Sequence, residues 1–219
     1  MADLPRLSGP SLAPKDGARP EQLIILCHGY GANGDDLIGL APQLGAVLPK
    51  AQFVAPNAPE SCGMVPGGYQ WFPLTTMSRE ERRDGTYRAA PILDAFIDAE
   101  LAEHGLDESR LALIGFSQGT MMALHVGLRR ARPVVGIVGF SGSLTAPERL
   151  VDEITVRPPV LLIHGDRDNV VPFPMMFEAA GALEAAGVAV DRHLSQGVAH
   201  GIAPDGLHKA VSFLARQFG

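Results

Sequence analysis

The sequence has few cysteines, few aromatic residues and no long apolar run, and each scarcity excludes a class of protein. Its 219 residues include two cysteines, Cys27 and Cys62, without the spacing of a zinc or thiol-redox motif, and two thiols make a poor disulfide framework. No apolar run approaches the length that spans a membrane, and the opening residues lack the charged-then-apolar pattern of a signal sequence. We therefore predict no membrane span and expect a cytoplasmic protein.

Clustered positive charge is also missing. The chain carries a formal net charge of -6, from 18 basic and 24 acidic residues. Binding of nucleic-acid phosphates requires clustered lysine and arginine side chains, so we expect no nucleic-acid partner. The only dense charge run, Arg79–Asp84, mixes both signs and indicates a solvated face. His28 has no companion at metal-ligand spacing, so the sequence predicts no metal site there.

Strand-like apolar runs and helix-like stretches alternate along most of the chain. This rhythm is typical of an α/β protein with a mostly parallel central sheet and helices on both faces. The predicted strands are Leu23–Cys27, Phe53–Ala55, Leu111–Phe116, Val134–Phe140, Val160–Ile163 and Val188–Leu194. The predicted helices are Tyr87–Glu103, Met121–Arg130, Met175–Ala186 and Asp205–Phe218. No repeat or linker divides the chain, so residues 1–219 are predicted to form a single domain.

One long segment interrupts that alternation. Residues 57–85 are rich in proline, glycine and serine, and they contain the single tryptophan, Trp71, followed by Phe72. Loops of this length in a compact domain are usually functional or disordered, and disordered segments are poor in aromatic residues. We therefore predict that this segment forms the wall of a pocket and that Trp71 and Phe72 bind substrate there.

A serine lies at the junction between a predicted strand and a predicted helix. The run from Gly115 to Gly119 matches G-x-S-x-G, a weak pattern by itself in a chain with 25 glycines. Here the pattern follows a strongly apolar strand and precedes a helical stretch, which is the setting that a nucleophile elbow requires. Ser117 is therefore the predicted nucleophile. The alternative is a glycine-rich turn with an incidental serine.

A serine nucleophile needs a histidine base and an orienting carboxylate, which on this fold follow in the order serine, acid, histidine. His200 lies in a loop between the last strand and the last helix. The other histidines after Ser117 lie within helices, on a strand or in the acid loop, so position selects His200. Asp166 and Asp168 both follow the strand Val160–Ile163 closely. Spacing does not separate them, and either one fits an Asx turn that only shapes the loop.

Two glycine-containing turns supply backbone donors for an oxyanion. The N–H of Gln118, the residue after the serine, is one such donor in this arrangement. The turn from His28 to Gly31 follows the first predicted strand, and its glycines permit backbone angles that aim the Tyr30 N–H inward. We predict an oxyanion hole formed by the N–H groups of Tyr30 and Gln118. The alternative is a glycine-rich turn without this role.

These motifs resemble those of the phospholipase/carboxylesterase family of α/β hydrolases, which includes bacterial carboxylesterases and acyl-protein thioesterases. The most specific pieces are Gly115–Gly119, the H-G-D-x-D-x-x-V-P loop at His164–Pro172, and the pair Trp71–Phe72. The resemblance implies the α/β-hydrolase fold. It assigns the acid role to Asp168 and the base role to His200.

The resemblance also implies hydrolysis of small-molecule carboxylic esters through a Ser-His-Asp triad and an acyl-enzyme, without a cofactor. Tyr30 stands where many members have leucine, and its ring would narrow the acyl pocket, so short- to medium-chain acyl groups are expected. The alternatives are an acyl-protein thioesterase or lysophospholipase, which need a long apolar channel, and a ligand receptor that retains the hydrolase fold. The sequence leaves a homodimer open.

Overall fold

The computed structural model describes residues 4–76 and 78–219, and a seven-stranded sheet lies at its centre. The strands are β1 (Ser11–Leu12), β2 (Gln22–Cys27), β3 (Ala51–Val54), β4 (Glu60–Ser61), β5 (Tyr69–Gln70), β6 (Leu111–Phe116), β7 (Gly136–Phe140), β8 (Val160–Gly165) and β9 (Val190–Ser195). The sheet order is β1-β3-β2-β6-β7-β8-β9, and its neighbouring strands are parallel except for β1 and β3. Strands β4 and β5 form a separate antiparallel pair. The predicted mostly parallel sheet is confirmed.

Helices cover both faces of this sheet. They are α1 (Gly34–Ile38), α2 (Ala41–Leu44), α3 (Arg79–His104), α4 (Gln118–Gly127), α5 (Leu150–Glu153), α6 (Pro174–Ala185) and α7 (Pro204–Phe218). In β2, Leu23 and Ile25 pack with α3, α4 and α6, whereas Ile24 and Leu26 pack with α1, α2 and α7. Alternate side chains of a strand point to opposite faces, so a continuous apolar run fits a strand that is buried on both sides.

Helix α3 begins at Arg79, well before its predicted start at Tyr87. The Ser78 hydroxyl caps the helix by accepting the Glu81 N–H over 3.1 Å, and acidic residues in the first turn suit the helix dipole. The mixed charge run therefore forms the first turns of this helix, with Arg79, Glu80 and Asp84 exposed and the residues between them half-buried. The segment predicted as a pocket wall at residues 57–85 ends accordingly at Ser78, and it contains the β4–β5 pair.

The register of the sheet places the carboxyl ends of its parallel strands along one edge. Cys27 pairs with Gly115, Phe116 with Phe140, and Gly165 with Ser195. The loops after β2, β6, β8 and β9 therefore leave the sheet on the same side. In open α/β sheets, ligands bind beyond the carboxyl ends of the strands. These four loops carry Tyr30, Ser117, Asp168 and His200, whereas Trp71 and Phe72 follow β5.

Candidate active site

Ser117 occupies the sharp turn between β6 and α4. Its backbone has φ 53° and ψ -114°, a conformation that residues with a side chain seldom adopt. The Ser117 N–H donates to the carbonyl oxygen of Phe140 over 2.8 Å, which ties the turn to the end of β7. The strand–turn–helix setting expected around this serine is present in the structure.

Two glycines make this turn sterically feasible. A Cβ on Gly119 would lie 1.9 Å from the carbonyl oxygen of Cys27, inside any tolerable contact distance. A Cβ on Gly115 would lie 2.4 Å from the carbonyl oxygen of Gly119. Glycine at both positions therefore lets α4 begin directly against β6 and β2, as a nucleophile elbow requires.

Asp168 and His200 contact each other beyond the same sheet edge. His200 Nδ1 lies 2.7 Å from Asp168 Oδ2, and the Asp168 side chain is fully buried. The N–H groups of Val170 and Val171 donate to Asp168 Oδ1, each over 2.9 Å. Burial raises the pKa of Asp168, but the hydrogen bonds from His200 and from these N–H groups outweigh it and hold the pKa below its ordinary value. The carboxylate is therefore ionised and fixed in orientation.

Asp166 makes different contacts. Its Oδ1 accepts the N–H of Gly197 over 2.6 Å, and its own N–H donates to the carbonyl oxygen of Ser195 over 3.1 Å. These bonds join the loop after β8 to the loop that carries His200. Of the two aspartates that spacing left open, Asp168 lies against the imidazole and Asp166 shapes the loops.

Ser117 and His200 line one cavity of about 330 Å³. The His200 ring packs against the Phe116 ring at 4.9 Å between centroids, and its Nδ1 faces the carboxylate of Asp168. A neutral imidazole that donates from Nδ1 has Nε2 as its acceptor. No hydrogen bond joins Ser117 Oγ to His200 among the described residues, and such contacts often tighten only when substrate binds.

The peptide between Gly29 and Tyr30 is held by a buried histidine. His28 Nδ1 lies 2.7 Å from the Gly29 carbonyl oxygen, and His28 Nε2 accepts the Ala58 N–H over 2.9 Å. Burial lowers the pKa of His28, so the ring is neutral and the proton lies on Nδ1. In a trans peptide the carbonyl and the next N–H point in opposite directions. The Tyr30 N–H therefore points away from the His28 ring, and Tyr30 lines the cavity that contains Ser117.

Gln118 connects the serine turn to the segment before α3. As the first residue of α4 it has an N–H without a partner in the helix, beside Ser117. Its buried side chain accepts the Trp71 N–H over 2.9 Å and donates to the Phe72 carbonyl oxygen over 2.8 Å. The side chain of Gln118, whose N–H is a predicted oxyanion donor, is thus held by two hydrogen bonds to the segment before α3.

The structure places Trp71 and Phe72 elsewhere than we predicted from the sequence. Both side chains are buried in the core on the face covered by α3, and neither lines the Ser117 cavity. The Trp71 indole N–H donates to the His28 carbonyl oxygen over 3.0 Å, at the start of the turn from His28 to Gly31. A Cβ on Gly85 would lie 2.4 Å from the Phe72 ring, so α3 packs directly on that ring. Trp71 and Phe72 therefore stabilise the site indirectly, through their hydrogen bonds to Gln118 and to the His28 carbonyl.

The walls of the cavity come from segments that are distant in sequence. Its apolar lining consists of Leu74, Met121, Val170, Val171, Pro172 and Met175. Tyr30, Arg82 and Ser143 add polar groups. The neighbouring Cys62 thiol raises the pKa of Tyr30. Of the apolar wall, Val170, Val171 and Pro172 fall in a motif visible in the sequence, the loop after β8.

Two further observations concern the described residues as a whole. Within residues 4–76 and 78–219, no group of three or more His, Cys, Asp or Glu side chains has an arrangement that would hold a metal ion. Among the same residues, no helix combines the length and the apolarity needed to cross a membrane.

The parallel sheet and the position of its strand-to-helix serine turn define the chain as an α/β hydrolase. A sequence model described as phospholipase/carboxylesterase matches residues 13–217. The chain therefore belongs to the phospholipase/carboxylesterase family, as its motifs indicated, and this is a family of hydrolases that includes esterases and thioesterases.

Individual relatives agree with this assignment. The chain is 32% identical to acyl-protein thioesterase 1 of Schizosaccharomyces pombe over 158 residues, 68% of this chain and 69% of the relative. It is 28% identical to esterase YpfH of Escherichia coli, over 83% of this chain and 77% of the relative. Among solved structures, that of esterase PE8 is similar with a TM-score of 0.93 and 46% identity, covering 96% of this chain and 99% of the other.

Proposed function

We propose that this protein is a carboxylesterase-type serine hydrolase, with Ser117 as nucleophile, His200 as base and Asp168 as orienting acid. The observation that carries the proposal is that His200 lines the same cavity as Ser117 while its Nδ1 lies 2.7 Å from the fully buried carboxylate of Asp168. The substrate is a small-molecule carboxylic ester with a short- to medium-chain acyl group. The proposed reaction uses no metal and no cofactor. A cytoplasmic location and a homodimer stay predictions.

In the acylation step, Ser117 Oγ attacks the ester carbonyl carbon while His200 Nε2 takes the hydroxyl proton. Asp168 stabilises the resulting imidazolium, because its carboxylate already accepts from His200 Nδ1. The negative oxygen of the tetrahedral intermediate accepts from the N–H groups of Tyr30 and Gln118, typically worth about 3 kcal/mol for each donor. When the C–O bond breaks, the imidazolium returns its proton to the leaving alcohol.

In the deacylation step, water attacks the acyl-enzyme and His200 takes a proton from it. The second tetrahedral intermediate uses the same two N–H donors. It collapses to release the carboxylic acid, and Ser117 regains its proton from His200. The enzyme therefore returns to its starting state, and the net reaction is ester plus water to acid plus alcohol.

The acyl group of the substrate is assigned to the apolar part of the cavity. Leu74, Met121, Val171 and Met175 offer a wall without carboxylates, and about 330 Å³ suits a limited acyl length. Trp71 and Phe72, expected at first to contact substrate, are given a supporting role because they hold Gln118 and the oxyanion turn instead.

A thioester substrate is the second candidate. It is favoured by the relatives, several of which carry the name acyl-protein thioesterase 1. Acyl transfer from a thioester uses the same nucleophile, base and oxyanion donors, so the site geometry accommodates both classes. Only the leaving group differs.

The test is a substrate panel of aryl esters from acetate to dodecanoate with a matching thioester series, assayed with wild type and Ser117→Ala. We expect hydrolysis of the shorter esters and a loss of kcat of about 10⁴-fold or more in Ser117→Ala. A folded Ser117→Ala variant with full activity would contradict the proposal. A preference for long-chain thioesters would retain the mechanism and overturn the assigned substrate.

A further inference from the structure

The carboxylate of Asp168 has a neighbour that the proposed mechanism does not use, the imidazole of His164 at the end of β8. His164 Nε2 lies 3.2 Å from Asp168 Oδ2 and 2.8 Å from the carbonyl oxygen of Val171. A carbonyl oxygen only accepts, so the His164 proton lies on Nε2. That N–H therefore donates to the Val171 carbonyl oxygen and lies beside the carboxylate.

With His164 included, two N–H groups lie near each oxygen of Asp168. Oδ1 accepts from the N–H groups of Val170 and Val171, and Oδ2 faces His200 Nδ1 at 2.7 Å and His164 Nε2 at 3.2 Å. The hydrogen bond of His164 goes to the Val171 carbonyl oxygen, so its N–H acts on Oδ2 as a nearby dipole. Asp168 is fully buried, so no water would replace that dipole if it were removed.

The surroundings of His164 favour its neutral imidazole over the positively charged imidazolium. Its side chain is 1% exposed, and burial lowers its pKa although the Val171 carbonyl and the Asp168 carboxylate raise it. The side chains that border a small gap beside it are Thr120, Leu124, Ser143, Met176 and Ala179, none of them ionisable near neutral pH. Among the described residues, the ionisable groups that act on His164 are Asp168 and His200.

We propose that His164 is a positioning residue of the triad, which holds Asp168 Oδ2 against His200 and moderates how strongly the carboxylate stabilises the imidazolium. The inference rests on the proposed triad. A neutral N–H dipole 3.2 Å from Oδ2 stabilises part of the negative charge on that oxygen. The carboxylate then stabilises the His200 imidazolium less strongly, so His164 influences the pH at which His200 becomes available as the base.

The test compares His164→Leu, which removes the donor at similar size, with His164→Gln, whose amide N–H reaches a similar position. In His164→Leu we expect kcat to fall about 10-fold with KM unchanged, since the polar group 3.2 Å from the buried carboxylate and the bond that holds the Val171 carbonyl are lost. The acid limb of the kcat/KM profile should move to higher pH. His164→Gln should restore both quantities. Ile163→Val is the matched control, because it loosens the packing of the adjacent buried residue on the opposite sheet face.

A spectroscopic measurement tests the role of His164 without depending on catalytic activity. The proton between His200 Nδ1 and Asp168 gives a low-field NMR signal that needs no turnover, and it should shift in His164→Leu and return in His164→Gln. Folded His164→Leu protein with wild-type kcat, pH profile and NMR signal would overturn the role of His164. Wild-type activity that survives in Ser117→Ala would instead refute the proposed function, while the NMR signal would still test His164.

Discussion

Asparagine in place of Asp168 changes one oxygen to an amino group and leaves the shape of the side chain intact. Because Oδ1 accepts two backbone N–H groups, the amide oxygen of the variant should occupy that position. The amino group then faces His200 Nδ1, which lies 2.7 Å from Oδ2 in the wild type. An amino group only donates, so His200 has to accept at Nδ1 and carry its proton on Nε2. In that tautomer the ring no longer accepts the proton of Ser117.

The expected loss is correspondingly large. A triad acid changed to its amide costs about 10³- to 10⁴-fold in kcat, or about 4 to 5.5 kcal/mol of transition-state stabilisation. Asp166 provides the matched comparison. Its Oδ1 accepts the Gly197 N–H over 2.6 Å, and the amide oxygen of asparagine can accept the same bond. We therefore expect Asp166→Asn to stay within about 10-fold of wild type.

The assay is kcat at saturating short-acyl aryl ester for wild type and both variants, beside thermal melts that show each protein to be folded. The predicted ranking is a severe loss in Asp168→Asn and a mild one in Asp166→Asn. The reverse ranking in two folded proteins would transfer the acid role to Asp166 and refute the tautomer argument.

Three further predictions concern stability and specificity. Arg130→Ala should lower the free energy of unfolding by about 3 kcal/mol in chemical denaturation, because the buried Glu108 carboxylate loses its buried guanidinium partner. Burial and the nearby Arg129 lower the pKa of His125 to about 4, so the unfolded chain takes up this proton first as the pH falls. The titration of His125 should therefore lower the free energy of unfolding by about 3 kcal/mol between about pH 6.5 and 4, and His125→Gln should flatten that pH dependence. Leu74→Ala should change the ratio of kcat/KM between short and longer acyl esters by about 10-fold, because Leu74 lines the acyl wall.

Each of these has a comparison that isolates it. Arg132→Ala removes an exposed arginine from the same Glu108 and should cost far less than Arg130→Ala, and equal costs would contradict the burial argument. An unchanged pH slope in His125→Gln would show that this histidine is not the source of acid lability. A uniform change for every ester in Leu74→Ala would make Leu74 a structural residue rather than a part of the acyl wall.

The sequence was sufficient for features that depend on local pattern. Continuous apolar runs such as Leu111–Phe116 occur because both faces of the central strands are covered, and β2 and β6 to β9 appear close to their expected positions. The setting of Ser117 was equally visible, since strand, turn and helix are contiguous. The short antiparallel strand β1, at Ser11–Leu12, is largely exposed and has no apolar run, so the sequence offered no signal for it.

Features that depend on distant contacts were not accessible in this way. Asp166 and Asp168 lie two positions apart, and only the path of the loop that carries His200 distinguishes them. Trp71 in a polar segment needs an apolar partner, but the sequence does not tell whether that partner is a pocket or the core. Helix α3 began earlier than expected because the capping contact of Ser78 outweighs the polar character of its first turns.

The central claim, that Ser117 is the nucleophile, is tested most directly with a fluorophosphonate and intact-protein mass spectrometry followed by peptide mapping. Ser143 lines the same cavity and provides the matched comparison. We predict one adduct per chain, on Ser117, which is retained in Ser143→Ala and abolished in Ser117→Ala. An adduct on any other residue, or labelling that persists in folded Ser117→Ala, would contradict the account.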